Sequence, residues 1–488
     1  MIKRVGLGAM MALTAFLALP AVASAQGGAI DAVKGELDIT WVMVAAVLVL
    51  FMQAGFLLLE IGFSRQKNVG AGVAKVLINL GVVTLAWWAV GFGISSLTGN
   101  KIFGTEGFFF HDGQDIAGTI VGGADTALML FGMLFCAVSL AIVWGTTLER
   151  IKFSAYAIYA LVFGAIIYPL VAHGVYGGGL LADIGGRPVM DFAGSSVVHL
   201  TGAVGAFAAL LLLGPRIGKY AADGTPRAIP GHSMPLVGLG VAILWVGWYG
   251  FNAGSTFGTT DNFFAEVALN TQLAAAAGAV AAALVIYLKG KRVDVGMVGN
   301  GAIAGLVGIT APSGYVEFWA APIIGAVAGV IVVYGVLAID KKLDDPVGAL
   351  SAHGLAGIWG TLSLGLFGSP RLILDGAAPG MWYGITGDAS FGSTVGQFGV
   401  QAVGVAAIFA LVFVLSFATF YAIKVTIGLR VSEEEELAGL DIASHGMYGY
   451  PESFIPPEEY PGSDGRGPAL VRPPVAPATM TADTPTQA

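Results

Sequence analysis

Long apolar blocks broken by short polar stretches make up most of this chain. Eleven blocks have the length and hydropathy of membrane-crossing helices: 39–63, 73–97, 125–148, 154–173, 197–214, 233–254, 265–288, 296–312, 317–339, 350–368 and 395–426. A hydrocarbon core about 30 Å thick takes ~20 predominantly apolar residues of helix. Backbone polar groups at that depth must be satisfied within the segment, which a helix does. The pattern therefore predicts an all-α polytopic membrane protein with eleven transmembrane helices.

The polar stretches orient those helices. One alternate set holds Arg65, Lys67 and Lys75; Arg150 and Lys152; Arg216, Lys219 and Arg227; Lys289, Lys291 and Arg292; Lys341 and Lys342. The other set holds only Lys101, Arg187 and Arg371. Basic residues collect on the cytoplasmic side, so the mature N-terminus is expected outside and the C-terminus in the cytoplasm. An odd number of spans is needed, and eleven is odd. Spans 1–5 and 6–10 then run in opposite senses, as two inverted five-helix repeats plus a C-terminal helix.

Both ends of the chain differ from this middle. Lys3 and Arg4 precede an apolar stretch from Val5 to about Leu19, and Ala23-Ser-Ala25 offers a small-residue cleavage site. Residues 1–25 read as a signal peptide, the stretch being shorter than a span requires. Residues 26–430 form the membrane domain. Residues 431–450 are polar and suit a cytoplasmic regulatory segment. Residues 451–488 are rich in Pro, Gly, Ser and Thr and are expected to be disordered.

Composition sharpens the picture. Hydrophobic residues make up 56% and charged residues 11%, against about 25% charged in soluble domains; mean hydropathy is +0.80. The 73 glycines fit membrane helices that approach closely. The net charge of −8 comes partly from the acidic run Glu433–Glu436, and no basic cluster suits nucleic acid. A single cysteine, Cys136, excludes an intrachain disulfide and a cysteine-based metal site. No zinc motif, nucleophile elbow or phosphate loop is present, so neither an enzyme nor a cofactor is expected.

Two histidines carry the candidate chemistry. His199 ends Asp191-Phe-Ala-Gly-Ser-Ser-Val-Val-His199, and His353 follows Asp344-Asp345-Pro346. Each opens an apolar, glycine-spaced run, one in each half. A titratable imidazole at membrane depth is a functional candidate; its rival is an interhelical hydrogen bond. Asp191 is placed to cap a helix start and add negative potential there.

These segments resemble the ammonium transporter family (Amt/Mep/Rh), in its bacterial branch. So do Gly247-Trp-Tyr-Gly-Phe-Asn-Ala-Gly-Ser255, Glu149-Arg150 closing span 3, Gly177-Gly-Gly179, and Gly428-Leu-Arg-Val with Gly439-Leu-Asp441 and Ser444-His445-Gly446. The resemblance covers about residues 35–450. It implies that His199 and His353 are the twin histidines of a pore and Phe135 and Phe251 its gate. Tyr176, Ser255, Asp191 and Phe135 would form the outer substrate site, with Trp248 beside the pore. Tyr176 stands where many bacterial members have tryptophan, which offers a cation the stronger ring face. The implied activity is ammonium transport: capture at the aromatic site, deprotonation, and passage of ammonia with a proton relay. Desolvating an ion costs of order 20 kcal/mol in the ideal case and several after relaxation. Deprotonation avoids most of that cost, and potassium has no proton to lose. The implied partners are a homotrimer, a cytoplasmic PII signalling protein and the lipid bilayer. An ammonium sensor with little flux and an electroneutral gas channel remain alternatives; the short polar tail disfavours a fused signalling domain.

Overall fold

A computed structural model describes residues 3–111, 123–259 and 262–454, those before residue 33 and residues 123, 124 and 452 by their backbone only. Among the described residues the structure is helical, with isolated bridges and no strand. The helices are α1 (Lys3–Phe63, whose apolar part is Val33–Phe63), α2 (Gln66–Ser95), α3 (Asp125–Thr146), α4 (Phe153–Val175), α5 (Ser195–Leu213), α6 (Met234–Thr256), α7 (Phe263–Gly290), α8 (Val295–Thr310), α9 (Ala320–Ile339), α10 (Leu350–Phe367) and α11 (Phe391–Thr426). Ten are long and apolar enough to cross a membrane, and α8 is a shorter apolar helix. The leader expected at 1–25 falls in the first part of α1, which is helical from Lys3 onward.

The packing follows from where side chains are small. Helix α1 lies along α6, α5 is held between α3 and α11, and α7, α8 and α9 pack together. A methyl group on Gly325 of α9 would collide with the Ala274 carbonyl of α7, and one on Gly329 with the Gly278 carbonyl. Backbone contact of this kind supplies the close packing that hydrocarbon solvent does not drive. Large apolar side chains such as Val47, Phe51, Leu284 and Val414 face outward, as a lipid-solvated surface requires.

Helices α5 and α10 each open with one wide π-helical turn, at Ser195–Leu200 and Leu350–Leu355. Such turns displace a side chain from regular helical register and recur at functional sites. Both histidines lie in them. Lys75, read from sequence as a loop charge, is instead buried inside α2 (1% exposed). Its ammonium lies 3.8 Å from the Trp144 ring centroid.

Past α11 the chain turns onto the face that carries the basic loops. Two short helices follow, α12 (Glu433–Ala438) and α13 (Leu440–His445). Ser432 caps α12 reciprocally with Glu435, the S-x-x-E arrangement that satisfies two orphan amides. A second unit, from residue 450 on, contributes one 3₁₀ turn, Pro451–Ser453, among the described residues. Most of the tail expected at 451–488 lies outside the described residues, which end at 454.

Candidate functional site

Wide π-helical turns aim His199 and His353 at each other across the interface between the halves. Their Nδ1 atoms lie 3.2 Å apart and their ring centroids 5.3 Å apart. One nitrogen of that contact must carry a hydrogen and the other a lone pair, so the pair can hold a single shared proton. The histidines continue into a column of aromatic rings. Phe251 lies 5.4 Å from His199, and Phe135 stacks on Phe251 at 3.9 Å with 12° between planes. Phe131 follows at 4.4 Å from Phe135. On the other side, Phe56 of α1 lies 6.4 Å from His353. Trp248 stacks on His199 at 5.3 Å, and its indole donates to the Thr310 hydroxyl at 2.9 Å. These rings are almost fully buried.

An aspartate holds the start of each histidine helix. Asp191, eight residues before His199, accepts four backbone N–H bonds: Gly194 (2.8 Å) and Ser195 (2.9 Å) on Oδ1, Ser196 and Val197 (both 2.9 Å) on Oδ2. These are the orphan amides of a helix start, and a carboxylate is favoured beside them. Gly194 makes the turn at φ +114°, a backbone that disfavours a side chain. Asp345, eight residues before His353, does the same with the amides of Val347 (3.3 Å), Gly348 (3.0 Å) and Leu350 (2.7 Å). Asp345 was read in sequence only as part of a motif. The matched spacing is the signal that identifies it.

Beyond Phe135 the column opens into a funnel of about 950 Å³, which reaches the surface. Phe135, Tyr176, Asp191 and Ser255 all line it. Trp87, Phe131, Tyr168 and Phe257 line it too; in sequence they look like ordinary core aromatics. The Ser255 hydroxyl donates to the Phe251 carbonyl at 2.8 Å, leaving oxygen lone pairs for a cation. Tyr176 is 42% exposed at the rim. His173, on the adjoining turn of α4, is buried and structural. Its ring nitrogens lie 2.9 Å from the Ser96 carbonyl and 2.7 Å from the Asn100 carbonyl.

A buried ion cluster closes the opposite end. Arg216 grips both oxygens of Asp344 at 2.9 Å, and its backbone N–H donates to Asp344 at 2.8 Å. Burial pushes the Asp344 carboxyl up, but Arg216 and Arg150 outweigh it and hold the group at about 2. Glu149, in the left-handed region at φ +71°, accepts from the Arg65 amide and guanidinium at 2.6 Å. Arg150 donates to the carbonyls of Leu148, Gly214 and Asp344 at 2.8–2.9 Å.

The tail helices latch onto this cluster. Glu436 accepts from Arg430 (2.6 Å) and from the Ile217 amide (2.7 Å). Asp441 caps α2 through the amides of Gly70 (3.0 Å) and Ala71 (2.8 Å).

The model of the Ammonium Transporter Family matches residues 40–450. The chain is 42% identical to ammonium transporter Amt2 of Archaeoglobus fulgidus, over 92% of this chain and 97% of that one. It is 34% identical to an ammonium transporter of Bacillus subtilis, over 86% and 99%. Among solved structures, one titled Sensor Amt Protein superposes with a TM-score of 0.77 at 33% identity, over 85% of this chain and 100% of that chain. Mep2 of Candida albicans gives 0.73 at 28%, over 87% and 92%.

Proposed function

Because the chain belongs to the ammonium transporter family, we propose that it moves ammonium across a membrane by splitting it into ammonia and a proton. Ammonium enters the funnel, where the ring faces of Tyr176 and Phe135 and the lone pairs of Ser255 replace its water. Asp191 contributes negative potential while its oxygens stay bonded to backbone amides. The stacked Phe135 and Phe251 rings gate a dry passage. Ammonia crosses that gate, and His199 and His353 relay the proton. The observation that carries the reading is the 3.2 Å contact between the two Nδ1 atoms at the end of a buried aromatic column.

The positive-inside asymmetry supports assigning the funnel to the outside and the ion cluster to the cytoplasm. On that assignment residues 1–25 are a leader that is removed, and the tail helices lie in the cytoplasm, where a PII-type regulator could reach them. The working assembly is a homotrimer with one pore in each protomer.

The test is transient current from purified protein in liposomes. An ammonium step should give positive current and a potassium step none. His199→Ala with His353→Ala should abolish that current or make it unselective. A parent that binds ammonium and passes no current would discard the electrogenic mechanism. The weight would then move to a sensor, a reading supported by the likeness to a structure with that title, or to an electroneutral channel.

A further inference from the structure

Below His353 the passage continues into a second, much smaller cavity of about 20 Å³. Its walls include His353, Phe56, Asn300 and, from the last turns of α1, Glu60. Glu60 stands one helical turn beyond Phe56, about 6 Å farther along the axis and on the same face. The side chain is buried, at 1% exposure. Its Oε2 has no hydrogen-bond partner, an arrangement that costs free energy and calls for an explanation. Lys75 attracts it electrostatically but keeps its own ammonium on the Trp144 ring and 3.5 Å from the Ile151 carbonyl. The Trp144 indole N–H acts on the Glu60 carboxyl without making a well-aligned hydrogen bond to it. A space of 20 Å³ exceeds the ~10–15 Å³ that one water needs. His353, Glu60 and Asn300 give that water its polar neighbours.

We propose that Glu60 is the inner proton station of the passage. The inference rests on the transport reading above and extends it beyond the histidines. In the first step the imidazolium of His353 loses an N–H proton through the intervening water to a Glu60 carboxylate oxygen, leaving neutral imidazole and a carboxylic acid. In the second, ammonia that has passed His353 takes that O–H proton on its lone pair, giving ammonium and restoring the carboxylate. Ammonium then leaves toward the basic end, and the charge count at each step is conserved. Lys75 acts as a positioning residue that favours the carboxylate before the proton arrives. Lys75 of α2 and Tyr156 of α4 interact electrostatically with Glu60, and His353 of α10 shares its cavity. Asp441 and His445 of the tail and Arg150 act in turn on Lys75.

The experiment measures ammonium-driven current against pH in liposomes for the parent, Glu60→Gln, Glu60→Asp, and the double variant Glu60→Gln with Lys75→Met. The double variant removes both buried charges together, which is far milder than stranding one, so it tests the carboxylate even where E60Q alone does not fold. We expect at least a tenfold loss of current in E60Q and in the double variant. E60D should recover a third or more of the current with a displaced pH profile. Parental current and pH profile in either folded Gln-containing protein would overturn the proposal. So would E60D and E60Q that fold and are equally impaired with an unmoved pH profile, because that marks a structural role. A parent without ammonium current would instead overturn the transport reading itself.

Discussion

The Tyr176 ring offers the most direct measure of how the funnel captures its ion. It is 42% exposed at the rim, so the value for an exposed site applies, about 0.5–1 kcal/mol for a cation over an aromatic face. Tyr176→Leu removes that attraction. At about 1.4 kcal/mol per tenfold, the half-saturating ammonium concentration should rise roughly two- to fivefold. Tyr176→Trp supplies the stronger face, and a gain of about half a kcal/mol would lower it roughly twofold. Neither change reaches the narrow passage, which begins at the stacked Phe135 and Phe251, so the maximal current should hold. The assay is transient current against ammonium concentration at one fixed pH, which keeps the ammonium fraction constant. Y176L with an unchanged half-saturation would refute capture at this ring. A lost maximal current with unchanged half-saturation would put the ring in the conduction step and refute the division between funnel and gate.

Three further outcomes follow from the packing and the ion cluster. Asp344→Asn removes the carboxylate that Arg216 grips at 2.9 Å and leaves that buried guanidinium only the longer 3.7 Å contact with Glu149; it should cost up to about 3 kcal/mol, read as a lower unfolding midpoint in detergent and a double-mutant cycle with Arg216→Gln. The folded carboxyl, at about 2, lies below its unfolded value near 3.9. Its contribution is therefore complete above about pH 4, fades as pH falls through 2, and should be flat between pH 5 and 8. Phe251→Ala, at a fully buried ring, should cost about 3–5 kcal/mol and weaken the selectivity of ammonium over potassium in the current assay. Asp441→Ala removes the cap on α2 at about 1 kcal/mol, and limited proteolysis should then cut between residues 431 and 449 at lower protease with the membrane helices intact.

Much of this architecture could be read from sequence, because membrane helices are specified by long apolar blocks. Each of the eleven expected blocks overlaps one of α1–α11. The histidines stood out because imidazole is rare at that depth. Phe135 and Phe251 were legible only through their motifs; by spacing alone they match Phe131, which the structure also puts in the column. What stayed hidden depends on distant segments meeting. Asp344 and Asp345 are neighbours in sequence, yet one grips Arg216, 128 residues away, and the other caps its own helix. Lys75 stands at the edge of the block 73–97 and counts in sequence with the loop charges, whereas α2 begins at Gln66 and carries it well inside the helix. Glu60 sat near the end of an apolar block, where an acid is unremarkable, and only the fold brings it to the same cavity as His353.

Hydrogen-bond satisfaction separates the walls of this passage from its working groups. Asp191 is bonded to four amides, so an approaching ion meets its field rather than a free oxygen. Trp248 has given its one donor to Thr310 and is a wall. Ser255 has placed its hydrogen on a carbonyl and can only accept, which suits a cation and not a carbonyl-like ligand. Several buried polar atoms make no hydrogen bond, the Trp144 indole among them, and two belong to titratable groups beside the passage: His199 Nε2 and Glu60 Oε2, each at a penalty of about 1–3 kcal/mol. A passage with no chemistry to perform would gain stability by replacing either with an apolar side chain. A passage that must accept a proton on one side and release it on the other requires titratable groups left open in this way, and His353 contacts one of them, His199, and shares a cavity with the other, Glu60.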